Sequence, residues 1–145
     1  MLHQQEKLEE AVACYQKALA IRPTFAEPHS NMGVALQSLG RTEEAIASYQ
    51  QALAIRPDYA EAMQNLGTTF RLQNKPEMAS TSYRNAINIK PDYFEAHFNL
   101  AVTYTTLGRF EEAANSYRQA LIVRPDSIDA HINLGITYCD VSEID

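Results

Sequence analysis

Hydrophobic residues recur along the chain at helical spacing, in short segments that polar and proline-containing turns separate. In one segment, Met63, Leu66 and Phe70 lie three and four residues apart, which places them on one face of a helix. In the next segment, Ala79 and Tyr83 continue the same spacing. The pattern predicts eight helices, with approximate bounds of 9–22, 26–39, 42–55, 60–73, 76–89, 94–107, 110–123 and 128–140.

The whole pattern repeats with a period of 34 residues. The recurring columns include Pro23, Pro57, Pro91 and Pro125; Tyr15, Tyr49, Tyr83 and Tyr117; and Asn31, Asn65, Asn99 and Asn133. Each unit holds two helices, so the sequence predicts an all-α fold built from stacked helix–turn–helix units. We expect a single array over 1–145, with a partial unit 1–25, complete units 26–59, 60–93 and 94–127, and a partial unit 128–145.

Polar residues and glycines mark the ends of the predicted helices. Asp58 precedes Glu61 by three residues, which is the spacing of a capping box. The same spacing recurs at Thr24 and Glu27, at Asp92 and Glu95, and at Asp126 and Asp129. We therefore interpret the acidic column as helix caps, and the alternative is that it attracts basic peptides. Gly40 and Gly108 are expected to form turns between the two helices of a unit.

Composition and charge exclude several classes of partner. The 145 residues carry 12 basic and 18 acidic side chains, a net charge of −6, with a pI near 5.2. A nucleic-acid or anionic-membrane surface needs a basic face, so we expect neither partner. The two cysteines, Cys14 and Cys139, show no metal or disulfide spacing. A reducing compartment is the simpler interpretation, which predicts a cytoplasmic protein.

No residue pattern indicates catalysis. The chain has no glycine-rich phosphate loop after a predicted strand, no nucleophile elbow and no His-Glu-x-x-His motif. His29, His97 and His131 recur in one column, but equivalent positions on stacked helices lie about 8–10 Å apart. Zinc ligands lie about 2.1 Å from the ion, so these histidines are interpreted as packing residues. We expect no metal, no cofactor and no enzymatic activity.

The order Leu-Gly, Ala, Tyr, Ala, Pro within each 34-residue unit resembles the tetratricopeptide repeat (TPR) family. The phrases Pro-Asp-Tyr-x-Glu-Ala at 57–62 and 91–96 are similar to the superhelical TPR region of O-GlcNAc transferase and related bacterial proteins. The resemblance implies a right-handed α-solenoid whose first helices line a concave groove. In that branch the asparagine column grips the backbone of an extended peptide, and the matching positions here are Asn31, Asn65, Asn99 and Asn133.

The asparagine column also has a physical interpretation of its own. Asn favours caps and turns over helix interiors, so four of them inside predicted helices need another reason. A carboxamide offers two donors and one acceptor, which matches the peptide unit. The alternative is that each side chain bonds a neighbouring repeat or its own helix. The other predicted groove residues are Gln64, Thr68, Arg71, Phe98, Val102, Ile132 and Ile136.

The last four of these residues make the C-terminal part of the groove more hydrophobic than its N-terminal part. Phe98, Val102, Ile132 and Ile136 are expected to form a pocket for a partner's apolar side chain or to pack on a further C-terminal segment. Arg71 is the only cation expected in the groove.

The leading functional interpretation is a protein–protein interaction scaffold that binds an extended peptide or partner segment. A second interpretation is a substrate-recruiting TPR segment of a larger O-GlcNAc-transferase-like glycosyltransferase. A third is self-association, because neither end of the array shows a polar capping element and the chain resembles a piece of a longer array.

Overall fold

A computed structural model of the chain describes residues 1–144 and contains only α-helices as regular elements in that range. The eight helices are α1 (Leu2–Ile21), α2 (Ala26–Ser38), α3 (Thr42–Ile55), α4 (Ala60–Leu72), α5 (Pro76–Ile89), α6 (Phe94–Thr106), α7 (Phe110–Val123) and α8 (Ile128–Ile144). Consecutive helices pack in pairs, α2 on α3, α4 on α5 and α6 on α7. The predicted all-α solenoid of helix–turn–helix units is confirmed.

The six central helices end within one residue of their predicted bounds, and the two outer helices are longer than predicted. Helix α1 runs without a break from Leu2 to Ile21, although the sequence predicted a helix that begins near residue 9. The reason is that Glu6 and Lys7 stand where later units have a glycine turn, and both are good helix formers. Residue 145 of the predicted last unit lies outside the described residues.

A residue in the left-handed region ends the first helix of each complete unit. Gly40 has φ +76° and Gly108 has φ +72°, as the turn prediction requires. The middle unit has Asn74 at this point, with φ +59°. The sequence analysis missed it, although Asn is the residue that tolerates this conformation best after Gly. The amide of Arg41 donates to the carbonyl oxygen of Leu36 at 2.9 Å, which completes a Schellman turn.

The predicted capping boxes are wrong. The residues at the N-caps of α2, α4 and α6 are Phe25, Tyr59 and Tyr93, and none of these caps has a side-chain hydrogen bond. The helices begin one residue later than a capping box requires, so Thr24, Asp58 and Asp92 stand outside the cap position. Only α8 has a capping contact of this kind, in which the amide of Ala130 donates to Ser127 Oγ at 3.3 Å.

The acidic column instead pairs with the cation that ends the second helix of the same unit. The pairs are Arg56 with Glu27 at 2.6 Å, Lys90 with Glu61 at 3.7 Å, and Arg124 with Glu95 at 3.3 Å. The same cations cover aromatic rings, and Arg56 Cζ lies 3.5 Å from the ring centroid of Tyr59. Each pair is largely exposed, so its contribution to stability is small. Each pair links the first turn of a unit's first helix to the end of its second helix.

Small residues on the first helix let the two helices of a unit approach closely. A Cβ added at Gly33 would lie 2.6 Å from Cε1 of Tyr49, and one added at Gly67 would lie 2.8 Å from Cε1 of Tyr83. Both tyrosine side chains are fully buried. A tyrosine ring of the second helix therefore packs directly on each of these glycines. The alanine columns are buried as well, and Ala45, Ala79 and Ala113 each have 0% exposure.

The first helices of successive units contact one another. Helix α4 touches both α2 and α6, whereas the second helices α3, α5 and α7 make no comparable contact with one another in residues 1–144. Because the first helices lie closer together, the stack curves toward them. The face formed by α2, α4, α6 and α8 is therefore the inner wall of the array.

We expect Gly67→Ala to lower the free energy of unfolding by about 1–3 kcal/mol, because the new methyl group would overlap the Tyr83 ring. Gly135→Ala is the matched control, since among residues 1–144 the added Cβ would have no atom within 4 Å beyond its two chain neighbours and the backbone of its own helix. It should leave stability unchanged or raise it by up to about 1 kcal/mol through helix propensity. Urea unfolding followed by circular dichroism measures both, and equal effects would contradict the close packing.

We also expect stability to fall at alkaline pH. Burial raises the pKa of Tyr49 and Tyr117, and burial with Glu61 and Glu95 raises the pKa of Tyr93 to about 12. Unfolded tyrosines ionise near pH 10, so the unfolded chain loses these protons first as the pH rises. The stabilisation is complete below about pH 10 and is lost between about pH 10 and 12.

The melting temperature should therefore fall by about 5–10 °C between pH 9 and pH 11. Tyr49→Phe keeps the ring and removes the ionisable group, so this variant should show a smaller fall over the same interval. A fall of the same size in Tyr49→Phe would show that this tyrosine does not contribute.

Candidate functional site on the first helices

The asparagine column lies on the first helices with its carboxamides accessible. The Asn31 side chain is exposed, and Asn65, Asn99 and Asn133 are partly exposed. Within the described part of the chain, the carboxamides of Asn31, Asn65 and Asn99 form no hydrogen bond with the protein itself. Asn133 lies beside the Tyr117 hydroxyl, where it partly offsets the effect of burial on the tyrosine pKa. Three carboxamides are therefore free to bind another molecule.

A column of buried threonines, which the sequence analysis missed, lies four residues after the asparagines. The threonine hydroxyls donate to asparagine carbonyl oxygens, Thr69 to Asn65 at 2.9 Å, Thr103 to Asn99 at 2.7 Å and Thr137 to Asn133 at 2.7 Å. All three threonines are nearly or fully buried between successive units. Their recurrence every 34 residues was the available signal. The Thr103 and Thr137 hydroxyls bond their own helix, and the single Thr69 proton is shared between its own helix and Gln37 on α2, so none of the three needs a partner from the groove.

Gln64 and Thr68 are largely occupied by internal hydrogen bonds. Thr68 Oγ1 lies 3.0 Å from the Tyr83 hydroxyl and 3.3 Å from Gln64 Nε2, and Gln64 is only 9% exposed. These two predicted groove residues therefore help to hold α4 on α5. Arg71, further along α4, is partly buried, and its Nε is shielded from solvent without a hydrogen-bond partner among residues 1–144.

A cleft of about 200 Å³ opens between α6, α7 and α8 on the inner wall. It is lined by Val102, Thr105, Thr106, Tyr117, Asn133, Ile136 and Thr137. The structure therefore brings together three predicted groove residues, Val102, Asn133 and Ile136, in one depression. The neighbouring Thr105 and Asn133 side chains lie at the Tyr117 hydroxyl. The cleft has aliphatic walls and a polar group at one side.

The other two apolar residues of the predicted pocket lie outside this cleft. Phe98 is partly buried, stacked on Phe94 with ring centroids 5.8 Å apart and edge-on to Tyr117 at 5.6 Å. Ile132 is 55% exposed on α8 and does not line the cleft. Of the four apolar residues that were predicted to form a pocket, only Val102 and Ile136 line this cleft.

The histidine column holds the turns between units. His97 Nε2 donates to the carbonyl oxygen of Pro91 at 2.7 Å, and His29 and His131 make the equivalent bonds to Pro23 and Pro125 at 3.0 and 2.9 Å. Each ring is thereby committed to the loop six residues earlier. Among residues 1–144, no group of three or more His, Cys, Asp or Glu side chains has the geometry of a metal site.

Three family models together match residues 1–140 of the chain. A model described as "TPR repeat" matches residues 1–40 and 103–140, which is more than half of the chain. Two models described as "Tetratricopeptide repeat" match residues 24–92 and 82–114. The chain belongs to the tetratricopeptide repeat family.

Solved structures share the fold of this TPR array. A crystal structure of MamA superposes with a TM-score of 0.86 at 23% identity, covering 94% of this chain and 80% of MamA. MamA residues 41 to the end, from Desulfovibrio magneticus RS-1, give 0.85 at 21%, covering 93% and 76%. The first TPR of Spaghetti (RPAP3), bound to the HSP90 peptide SRMEEVD, gives 0.78 at 20%, covering 81% and 95%. At these identities the likeness shows the fold alone.

The comparison with curated proteins returned no match. Over residues 1–144, no helix combines the length and the hydropathy that crossing a membrane requires.

We expect Gln37→Ala to lower the free energy of unfolding by about 1–3 kcal/mol. Gln37 Oε1 accepts from Thr69 Oγ1 at 2.7 Å and from the Tyr49 hydroxyl at 3.3 Å, which joins α2, α3 and α4. Its loss leaves the buried Tyr49 hydroxyl without this acceptor, whereas Thr69 keeps the backbone carbonyl of Asn65. Gln50→Ala, at an exposed position of α3, is the control and should change stability by no more than about 0.5 kcal/mol. Chemical denaturation measures both, and an equally small effect at Gln37 would contradict the bridging role.

Proposed function

We propose that this TPR array is a protein-interaction scaffold that binds an extended segment of a partner along its inner wall. The observation that carries the proposal is the set of accessible carboxamides on successive first helices, three of which have no internal hydrogen bond. A polar side chain inside a helix without an internal partner is available to a ligand. A carboxamide is complementary to the peptide group, since each can donate and accept one hydrogen bond.

The spacing of the column supports an extended ligand. Packed helices lie about 8–10 Å apart, and an extended chain advances about 3.3 Å per residue. Successive asparagines can therefore hold every third peptide group of a segment that runs across the first helices. Binding of this kind reads the backbone and tolerates many side chains. Each hydrogen bond contributes about 0.5–1.5 kcal/mol net, so micromolar affinity is the expectation.

The RPAP3 repeat supports the peptide mode in general, because it has the same fold and binds a peptide. The sequence of that peptide, SRMEEVD, is acidic. In this chain, Arg71 is the single cation on the four first helices within the described residues. We therefore propose a ligand that is bound mainly through its backbone and not through acidic groups. TPR repeats are typically non-enzymatic modules, which agrees with a binding role.

The second interpretation, recruitment of protein substrates for a larger O-GlcNAc-transferase-like enzyme, uses the same wall and the same asparagines. No contact or distance in residues 1–144 favours it over a general scaffold. The binding experiment below tests the step that both interpretations share.

The double variant Asn65→Ala/Asn99→Ala should lose at least tenfold in affinity for a 15-residue peptide selected from a random library on the unmodified protein. Two carboxamides that each hold a peptide group account for a loss of that size. The melting temperature should stay nearly constant, because neither carboxamide has an internal hydrogen bond. Fluorescence anisotropy measures the affinity, and circular dichroism measures the melting temperature.

The matched control is Asn85→Ala/Asn88→Ala. These two asparagines are exposed on α5, a second helix, and lie outside the inner wall. The control should bind the peptide as the unmodified protein does. Equal affinity in both double variants, or a failure of any peptide to be enriched, would refute the proposed binding mode.

A further inference from the structure

Three equivalent positions of the repeat, 34 residues apart, decide whether a space opens between neighbouring units. They are Gln37 on α2, Arg71 on α4 and Thr105 on α6. The first helix of each of these units has 13 residues, and these three side chains lie near its C-terminal end. The first two side chains are long, and the third is short.

Gln37 fills the space in the first unit. Its Oε1 reaches Tyr49 on α3 and Thr69 on α4. One repeat later, the equivalents of those partners are Tyr83 and Thr103, and two repeats later they are Tyr117 and Thr137. The contacts of Gln37 thus define the walls of one recurring space, and the glutamine side chain occupies it.

Arg71 holds the same position in the second unit. Its Nε is shielded from solvent, so the aliphatic stem and the start of the guanidinium are covered by protein. Arg71 is a long side chain at the position that Gln37 holds in the first unit, and its shielded Nε shows that it lies against the protein.

Thr105 is too short to fill the space, and the 200 Å³ cleft lies there. Its lining includes Tyr117 and Thr137, the equivalents of the two residues that Gln37 bonds. The Gln37 side chain thus shows what fits the first copy of this space. An apolar cavity of about 150 Å³ already accepts a benzene ring, so this cleft has room for one side chain of a partner.

The walls of the cleft are less polar than the equivalent positions of the preceding unit. Val102 and Ile136 form its walls, and Ile136 is 55% exposed at the rim. The residue equivalent to Val102 in the preceding unit is Thr68, which is hydrogen-bonded. Aliphatic walls favour an apolar occupant, since an unpaired polar or charged group would lose its hydration there. Asn133 lines the same cleft, beside the Tyr117 hydroxyl.

We propose that this cleft is a specificity pocket that accepts one leucine-sized aliphatic side chain of the bound segment. The inference rests on the proposed function for its ligand: the asparagines hold the backbone, and the cleft selects a side chain at one position. A scaffold that reads only backbone would bind any extended segment. The pocket gives this array a preference for segments with an aliphatic residue at the position facing α6 and α8.

The test uses two small probes on the 145-residue chain. N-acetyl-leucine methylamide carries one aliphatic side chain between two peptide groups, and N-acetylglycine methylamide carries the peptide groups alone. Methyl NMR of valine and isoleucine follows both titrations. We expect the leucine probe to shift the Val102 and Ile136 methyl signals in a saturable manner and the glycine probe to leave them in place. Equal shifts with both probes would overturn the pocket.

The variant Thr105→Gln places in the cleft the side chain that fills its equivalent in the first unit. Binding of the leucine probe should weaken at least tenfold, while the melting temperature stays within a few degrees. Thr81→Gln makes the same change at an exposed position of α5 and should leave the titration unchanged. Undiminished binding to Thr105→Gln would overturn the proposal, and the comparison of the two probes on the unmodified chain holds even if this variant fails to fold.

The pocket and the proposed function fail separately. If the leucine probe binds in the cleft and no 15-residue peptide binds the inner wall, the peptide scaffold is refuted and the pocket stands. If long peptides bind but replacing each of their aliphatic residues by Ala in turn never weakens binding, the pocket is refuted and the scaffold stands. If both proposals hold, replacing one particular aliphatic residue of the peptide by Ala should weaken binding to the unmodified protein. The same replacement should not change binding to the Thr105→Gln variant.

Discussion

The packing of a buried tyrosine ring against a residue without a side chain is the contact on which the rest of the array depends. Tyr49 lies on Gly33 and Tyr83 on Gly67 at distances that leave no room for a methyl group. The ring fixes how closely the two helices of a unit approach, and its hydroxyl reaches the next first helix through groups such as Gln37. The first two complete units share this contact, and the third has Ala101, the next smallest residue, at the glycine position beside Tyr117 in the sequence pattern.

Buried polar groups satisfy one another inside this framework and leave the asparagines free. The threonine hydroxyls bond the carbonyl oxygens of their own helices, and the histidines bond the proline carbonyls of the preceding turns. The acidic column pairs with the cations at the ends of the second helices. These groups stabilise or orient the units, so no ligand is needed to explain why they recur in each repeat. The carboxamides of Asn31, Asn65 and Asn99 are the recurring groups that the fold leaves without such a partner.

Much of the fold could be predicted because a 34-residue period reports the same local environment several times. Apolar spacing located the six central helices to within one residue, and Gly40 and Gly108 located two turns. The errors concern single residues whose partners are distant in sequence. The predicted capping boxes are wrong because an aromatic residue occupies the N-cap position, and Glu27 forms an ion pair with Arg56, 29 residues away. Phe98, a predicted groove residue, is partly buried by contacts with Phe94 and Tyr117 that the repeat pattern does not show.

The sequence by itself determined the helices, their pairing into units and the column of asparagines, because these depend on spacing along one chain and on contacts between neighbouring segments. Only the tertiary structure decided which side chains remain available and where the inner wall opens. Gln37, Arg71 and Thr105 occupy equivalent positions in the repeat; Gln37 bonds the helices around it, whereas a cleft opens beside the shorter Thr105. The volume left between three helices depends on all the side chains that meet there, and the period of the sequence carries no measure of it.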